Sequence, residues 1–247
     1  QEVRQQLPGH RIDDVGLGVL FGLHDWRFEV LGLLSHVEHL ERAHGVGPHT
    51  LSVPRLEPAP GTPGAAGAWR VGDAEFLRLV AILRLAVPYT GLILSTREPA
   101  ALRDRLFDLG VSQVSADSRT SPGGYTDGAA ERDDCQFFLN DHRTLDEVAG
   151  ALLERGYLPS FCTACYRKER TGERFMKLAR PGLIKGNCTV NALVTLQEYL
   201  NDFASPAVRA AGERILLEWG DRLDWPRRME FKVLQNHVQQ GYRDAHV

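Results

Sequence analysis

Apolar residues in the N-terminal two thirds of the chain fall alternately into short continuous runs and into helical three- and four-residue spacings. The continuous runs predict strands at residues 15–21, 50–53, 91–94 and 111–115. The helical spacings predict helices at residues 26–43, 74–86, 99–109 and 145–155. Strand and helix thus alternate four times, which is typical of a parallel sheet with helices outside it. The pattern predicts an α/β fold, either half of a TIM-like (β/α)8 barrel or a small open doubly wound sheet.

The remainder of the chain shows a different pattern, without a recognisable strand. Helical spacing recurs there at residues 191–203, 206–218 and 228–240. We therefore predict two domains. Residues 1–155 form the α/β domain, and residues 156–247 form a C-terminal helical domain.

Composition and charge narrow the classes of function. Lys plus Arg total 29 and Asp plus Glu total 32, so the formal net charge of −3 disfavours a strongly basic nucleic-acid binder. No run of about 18 apolar residues predicts a transmembrane helix, and the first residues lack the pattern of a signal peptide. We expect a cytoplasmic protein with neither a membrane nor nucleic acid as partner. The sequence begins without Met, which suggests a processed or truncated start.

Arginine recurs in the loops that follow the predicted strands. Arg55, Arg97 and Arg119 each come shortly after a strand end. In parallel α/β folds these loops meet the ligand, and a guanidinium matches the geometry of carboxylates and phosphates. The loops therefore predict an anionic or amino-acid substrate. The alternative is that these arginines form salt bridges at the rim of the fold.

Three of the four cysteines form the sharpest chemical signal. Cys162, Cys165 and Cys188 have the spacing C-x2-C-x22-C, which favours a metal or redox centre over disulfides. Two thiolates in one turn and a third from a later loop leave one iron of a cubane cluster open to another ligand. A zinc site would need a fourth ligand, for which Cys135 and His142 are candidates. A thioredoxin-type dithiol would need no third cysteine. Iron–sulfur, zinc and other uses stay open on spacing alone.

Six stretches together resemble one known family. They are DDVGLGVLFGLHDWRFEVLGLL (13–34), GVGPHTLSVPRLEPA (45–59), AVPYTGLILSTRE (86–98), SADSRTSPGGY (115–125), DHRTLDEV (141–148) and FCTACYRKERTGERFMKLARPGLIKGNCTVNAL (161–193). These stretches resemble the HydG family of FeFe-hydrogenase maturases, tyrosine lyases of the radical S-adenosylmethionine (radical SAM) superfamily. The resemblance spans nearly the whole chain, and the C-x2-C-x22-C trio is its most specific element.

The resemblance implies the C-terminal half of the family's barrel, strands five to eight, followed by the helical domain. In the family, a SAM-bound 4Fe-4S cluster in the N-terminal half generates a 5′-deoxyadenosyl radical, which cleaves tyrosine to p-cresol and dehydroglycine. The dehydroglycine then yields CO and cyanide on an additional iron at a second 4Fe-4S cluster. These products serve H-cluster assembly, which implies other hydrogenase maturases as partners.

Site residues follow from the resemblance position by position. The implied thiolate ligands of the second cluster are Cys162, Cys165 and Cys188. His49, which taken alone is more typical of a structural or surface histidine, matches the histidine that helps hold the additional iron. The implied substrate-binding residues, first those around the tyrosine carboxylate and then those of the barrel mouth, are Arg97, Ser95, Arg55, Asp117 and Ser118. Catalytic residues stay unassigned.

The chain departs from the family in one respect that bears on activity. The radical SAM motif C-x3-C-x2-C is absent, since no cysteine precedes Cys135, whose own role is unassigned. We therefore expect a C-terminal fragment, a separate subunit or a degenerate homologue that does not cleave SAM alone. It would use SAM and the first cluster only with an N-terminal barrel half or a full-length maturase as partner. Half a barrel also exposes two sheet edges, which invite pairing.

Two further functions stay open at this point. The 2-iminoacetate (dehydroglycine) synthase of thiamine biosynthesis shares the barrel motifs but lacks the second cluster site. A non-enzymatic iron–sulfur or zinc-binding protein would bind metal without any need for Arg97 or His49.

Overall fold

Four short parallel strands form one sheet in the computed structural model, which describes residues 14–57, 69–125 and 135–247. The strands are β1 (Gly16–Gly18), β2 (Thr50–Ser52), β3 (Gly91–Leu94) and β4 (Gln113–Val114). Their order in the sheet is their order in the chain, and all neighbours pair in parallel. The predicted α/β class is confirmed, and the sheet is consistent with half of a TIM-like barrel.

A helix connects each strand to the next, namely α1 (Trp26–His44), α2 (Asp73–Ala86) and α3 (Ala100–Asp108). Asp25 begins α1, because its carboxylate accepts a hydrogen bond from the backbone N–H of Arg27 at 2.8 Å. Gly45 ends α1 in the left-handed conformation, at φ 71°. These helices follow the predicted spans closely, since their apolar spacing and their end signals agree.

The two faces of the sheet differ in character. Leu17, Leu51 and Leu92 lie in register on the face that the helices cover, and the last two are fully buried in an apolar core. The opposite face carries mostly small residues at matched positions, namely Gly16, Gly18, Thr50, Ser52 and Gly91, with Ile93 beside Ser52 as the exception. A Cβ on Gly16 would lie 2.8 Å from the Thr50 hydroxyl oxygen. The close approach of β1 to β2 on this face therefore requires glycine.

A buried ion pair holds the end of the first unit in place. Arg103 of α3 is fully buried, and its guanidinium donates to the carboxylate of Asp141 and to the backbone oxygen of Ser115. Asp141 is itself 2% exposed, so both charges lie out of solvent. The pair fastens the chain after β4, and the segment around Asp141, to α3.

The chain divides into two compact units, Gln1–His142 and Arg143–Val247. The second consists of the helices α4 (Leu145–Glu154), α5 (Ala164–Arg167), α6 (Gly172–Ala179), α7 (Ile184–Asp202), α8 (Pro206–Arg222) and α9 (Trp225–Gln239). It has an apolar core of its own, which includes Leu153, Val190 and Leu196. The structure groups α4 with these helices, and the domain boundary after residue 155 stays a prediction.

The helix α7 begins at Ile184, before the predicted start at residue 191. The cysteine spacing had suggested a loop at Cys188, but Cys188 lies within this helix. Gly186 and Asn187 are weak helix formers, so the sequence pattern does not indicate the first turns of α7. The structure shows a reason for the glycine, because a Cβ on Gly186 would lie 1.9 Å from Cζ of Arg227 in α9.

None of the helices in the described ranges combines the length and the apolarity that a membrane crossing requires.

Candidate functional site

A pocket of about 550 Å³ opens where β3 and β4 end. Ser95 and Thr96 line it from the chain after β3, while Ser118 and Thr120 line it from the chain after β4. The carboxyl ends of neighbouring parallel strands meet at one edge of a sheet, which brings these hydroxyl groups together. Two of the predicted substrate-binding residues, Ser95 and Ser118, thus share one pocket.

Gln136, Phe137 and Leu139 form a further wall of this pocket. The Thr120 hydroxyl donates to the backbone oxygen of Phe137 at 2.9 Å, and the Gln136 N–H donates to the backbone oxygen of Thr120 at 3.2 Å. The sequence patterns did not predict this wall, because these residues belong to no periodic element. The only signal was the pair of adjacent aromatic residues, Phe137 and Phe138, in an otherwise polar stretch.

Arg97 lies against the pocket wall, beside the ring of Phe137. Its Cζ is 3.8 Å from the centroid of the Phe137 ring, and its Nη1 donates to the backbone oxygen of Arg55 at 3.3 Å. Burial lowers the pKa of Arg97, while the charges of Glu57 and Glu98 act against that shift. Among the described residues Arg97 takes part in no salt bridge, in contrast to Arg55. A role for Arg97 in binding a substrate carboxylate stays a prediction.

Arg55 is held by acidic partners. Its Nε donates to both carboxylate oxygens of Glu98 at 3.0 Å, and its Nη1 donates to Asp73 at 2.8 Å and to the backbone oxygen of Val71 at 2.9 Å. Burial alone would lower the pKa of Arg55, but Glu98 and Asp73 outweigh burial and raise it. Glu98 is fully buried, so this pair holds the chain after β2 against the chain after β3. A substrate-binding role for Arg55 stays a prediction.

Asp117 adopts φ 49°, a left-handed conformation that is uncommon for residues other than glycine. Its carboxylate lies 3.0 Å from a guanidinium nitrogen of Arg119, and the Arg119 backbone N–H donates to the Tyr125 hydroxyl at 3.1 Å. Uncommon backbone conformations of this kind cluster at functional sites. Asp117 directly precedes the pocket-lining Ser118, and its part in binding stays a prediction.

His49 lies at the opposite edge of the sheet, where β2 begins. Its Nδ1 is 2.9 and 3.1 Å from the two carboxylate oxygens of Asp14, and both side chains are mostly buried. A carboxylate on one ring nitrogen fixes a histidine so that Nε2 is the atom presented to a metal. A metal-ligand role for His49 stays a prediction, and the structure does not bring His49 together with Ser95 and Arg97. Asp14 lies 35 residues away from His49 along the chain, so no local pattern in the sequence predicts this contact.

The three predicted thiolate ligands lie in the helical unit. Cys162 precedes α5, Cys165 lies in α5 and Cys188 lies in α7. The Ala164 N–H donates to Sγ of Cys162 at 3.3 Å, so the chain already turns around this sulfur. Cys188 is exposed at its surface, yet desolvation by the protein around its thiol raises the pKa of Cys188 to about 11, and the Cys165 and Cys162 sulfurs add to the rise. The charges of the Cys165 and Cys162 thiols thus act on the thiol of Cys188.

A cation accompanies these thiols. The charge of Arg170 favours the thiolate of Cys188 and thus acts to lower the pKa of Cys188. The Arg170 backbone N–H donates to the Cys165 carbonyl oxygen at 2.7 Å, which closes the turn after α5. Its Nε is buried and has no hydrogen-bond partner in the described part of the chain. A cation beside three thiols fits an anionic iron–sulfur cluster, since hydrogen bonds to cluster sulfurs are a usual form of support.

The described residues contain no group of three or more His, Cys, Asp or Glu side chains arranged to hold a metal ion. The thiols interact through space without meeting at one point. A cubane binds its thiolates through separate irons, so a shared point is not required of them. The zinc alternative, with Cys135 or His142 as fourth ligand, stays a prediction. Cys135 is buried and belongs to the first unit.

Known proteins resemble this chain over different lengths. The family of the Biotin and Thiamin Synthesis associated domain (BATS) matches residues 52–158. A crystal structure of HydG, a maturase of the FeFe-hydrogenase, matches 96% of this chain and 51% of its own, at 43% identity with a TM-score of 0.90. The chain resembles the C-terminal half of HydG. The X-ray structure of HydG from Carboxydothermus hydrogenoformans matches 90% of this chain and 47% of its own, at 42% identity with a TM-score of 0.70.

The HydG-like chain also resembles 2-iminoacetate synthases. Those of Escherichia coli (strain K12) and Salmonella typhimurium are 37% and 36% identical to it over 159 residues, which is 64% of this chain and 41% of each synthase. The chain thus spans about half the length of HydG and less than half the length of these synthases. Since the first HydG match covers 96% of the chain, it includes most of the helical unit that carries the thiols.

Proposed function

We propose that the chain is the C-terminal part of a HydG-type tyrosine lyase. This enzyme produces p-cresol and dehydroglycine and converts the latter to iron-bound CO and cyanide for H-cluster assembly. The observation that carries the proposal is the HydG match, which covers 96% of this chain at 43% identity. The spacing of Cys162, Cys165 and Cys188, and the charge interactions of the Cys188 thiol with the other two, support the same conclusion.

The pocket at the carboxyl edge of the sheet accounts for an amino-acid substrate. Its volume of about 550 Å³ lies in the usual range for small-molecule sites. Arg97 offers a guanidinium beside the aromatic ring of Phe137, and tyrosine presents both a carboxylate and a ring. In the proposal, Arg97 and Ser95 bind the tyrosine carboxylate. The residues that shape the mouth around it are Arg55, Asp117 and Ser118.

In the proposal, the three thiols supply the protein ligands of the second cluster. Cys162, Cys165 and Cys188 would hold a 4Fe-4S cluster, and His49 would help to hold an additional iron. When bound, such a centre supplies a Lewis-acidic iron that binds small anionic ligands. The chain's own residues do the positioning, because Asp14 orients the His49 ring and the charge of Arg170 favours the ionised thiol that a metal requires.

The radical chemistry belongs to a partner in this proposal. SAM and the first 4Fe-4S cluster bind to an N-terminal barrel half, carried by the same protein or by a full-length maturase, and the chain alone is inactive. Other hydrogenase maturases receive its products. Thiolate clusters are oxygen-labile when solvent reaches them, so we propose an anoxic cytoplasm as the site of action.

Anaerobic reconstitution with iron and sulfide tests the proposal. We expect about four irons per chain and broad visible absorption, because three thiolates and a nearby cation suit a cubane. Metal analysis and absorption spectroscopy measure both quantities. A colourless protein that carries one zinc after anaerobic purification would instead support a zinc-stabilised helical domain.

The resemblance to 2-iminoacetate synthases favours a second candidate function, because it extends over 159 residues. In that case the complete protein would cleave tyrosine to dehydroglycine, and the thiols would hold no second cluster. Two results together would decide for the synthase. The complete protein would cleave tyrosine, and its Cys162–Cys188 region would take up no iron.

Replacing Arg97 distinguishes an enzyme from a non-enzymatic cluster or zinc carrier. In the protein completed with its radical SAM half, we expect Arg97→Gln to lower kcat/KM for tyrosine roughly 10- to 100-fold, because a charged hydrogen bond contributes about 1.5–3 kcal/mol. p-Cresol release measured against tyrosine concentration gives this ratio. Arg105→Gln, an exposed arginine on α3, is the matched control. Unchanged p-cresol release from Arg97→Gln would favour the carrier.

A further inference from the structure

The segment that follows α9 runs back along α7 toward the thiols. We call residues 243–247 the tail strap. Arg243 forms two contacts of 2.6 Å with the carboxylate of Asp202, where α7 ends. Further along, the Ala245 N–H donates to the carboxylate of Glu198 at 3.2 Å. The strap therefore passes from the end of α7 toward the part of that helix that carries Cys188.

The strap also contacts the segment after α5. Asp244 forms a salt bridge with Arg167, the last residue of α5. Arg170 donates from Nη2 to the backbone oxygen of Val247 at 2.6 Å. Because the Arg170 N–H is bonded to the Cys165 carbonyl oxygen, this contact connects the strap to the turn that bears the C-x2-C pair.

Val247 joins the two thiol-bearing elements. Its N–H donates to the side-chain oxygen of Asn191 at 2.8 Å, and its backbone oxygen accepts from the Asn191 side-chain nitrogen at 3.4 Å. The same oxygen accepts from Arg170. Asn191 is 2% exposed and lies three residues after Cys188, so it is one helical turn from that thiol. One backbone group therefore contacts both the turn of Cys165 and the helix of Cys188.

We infer that the tail strap sets the spacing between the Cys162–Cys165 turn and Cys188, and that Asn191 and Arg170 are positioning residues for the cluster. The inference rests on the proposed function, since it assigns a purpose to the spacing of these thiols. A metal site binds most tightly when its ligands are already held near the bound geometry by a supporting shell. Helix α5 has only four residues, and a helix this short is marginal in isolation, so contacts outside it support its position.

Two features keep the strap itself in place. Ala245 and Val247 pack against the apolar core of the helical unit, so the strap is held by more than polar contacts. Asp244 adopts a left-handed backbone conformation, at φ 63°, and the contacts of the strap form in that conformation. Asp is among the residues that enter this region most readily.

Asn191→Asp tests the inference with the smallest change. Aspartate keeps the oxygen that accepts from the Val247 N–H, but it replaces the donor with an oxygen that repels the Val247 backbone oxygen. Arg170→Gln removes the second contact to that oxygen. Asn201→Asp makes the same chemical change at an exposed position of the same helix and is the matched control.

The first measurement needs no metal. In a Cys135→Ser, Cys165→Ser background, nitroxide labels on Cys162 and Cys188 report the separation of the two elements by electron paramagnetic resonance. We expect a longer and broader distance distribution in Asn191→Asp and in Arg170→Gln, and no change in Asn201→Asp. A thermal melt confirms that each variant is folded, and if Asn191→Asp does not fold, Arg170→Gln decides.

The second measurement uses the reconstituted protein with all four cysteines. We expect both strap variants to lose cluster iron to excess chelator roughly 10-fold faster than the wild type or more, while Asn201→Asp matches the wild type. Wild-type label spacing, or a wild-type rate of iron loss, in folded strap variants overturns the inference. If the wild type takes up no cluster, the proposed function fails, and the label spacing alone decides whether the strap positions the thiols.

Discussion

Replacing Cys162, Cys165 and Cys188 together with serine is expected to reduce the reconstituted iron from about four atoms per chain to essentially none. Serine is nearly isosteric, but its hydroxyl stays protonated near neutral pH and does not offer the soft thiolate that iron–sulfur clusters require. Iron and sulfide analysis, together with visible absorption, measures the loss.

The control for this variant is Cys135→Ser. Cys135 is buried in the first unit, apart from the unit that carries the trio, and its replacement is expected to leave the cluster spectrum intact. Retention of the visible spectrum by the triple variant would refute the cluster assignment. Loss of the spectrum in Cys135→Ser alone would show that the ligand set extends beyond the trio.

Arg103→Met is expected to lower the free energy of unfolding of the first unit by about 3–5 kcal/mol, which is the usual cost of leaving a buried charge without its partner. Arg103 is fully buried, and its replacement removes the guanidinium that donates to the carboxylate of Asp141 and to the backbone oxygen of Ser115. Urea unfolding followed by circular dichroism gives the change in stability.

Two further variants are controls for the stability change of Arg103→Met. Arg105→Met changes an exposed arginine on the same helix and is expected to alter stability by less than about 0.5 kcal/mol. Arg103→Met combined with Asp141→Leu removes both charges and is expected to recover part of the loss, because an apolar pair can replace a buried ion pair. A midpoint for Arg103→Met equal to that of the wild type would contradict the structural role given to this pair.

The alternation of strands and helices could be predicted from the sequence because each element carries its own local signal. The run around Leu92 and the helical spacing of α2 need no distant partner to be recognised. Buried charges are different. Arg103 and Glu98 look like surface residues in the sequence, and only their partners 38 and 43 residues away explain why they are buried.

The same distinction between local signals and distant contacts applies to the residues of the candidate site. Ser95 and Ser118 could be placed at one sheet edge because β3 and β4 are neighbours in sequence and in space. No local pattern predicts the aromatic wall at Phe137 or the Asp14 partner of His49, because both depend on contacts between distant segments. Cys188 was recognised by spacing, but its helix was not, because Gly186 weakens the local signal and is explained only by Arg227.

The face of the sheet that carries Gly16, Gly18, Thr50 and Ser52 has a consequence for transport. β2 is three residues long and spans about 10 Å, so the edge near Arg97 and the edge near His49 lie at least that far apart. Ordinary barrels fill this interior with branched apolar side chains. Here glycines and short hydroxyl groups occupy most of this face, with Ile93 as the branched apolar exception beside Ser52. Under the proposed function, these small side chains would let a two-carbon imine pass from one end to the other, which would keep radical chemistry and iron chemistry apart.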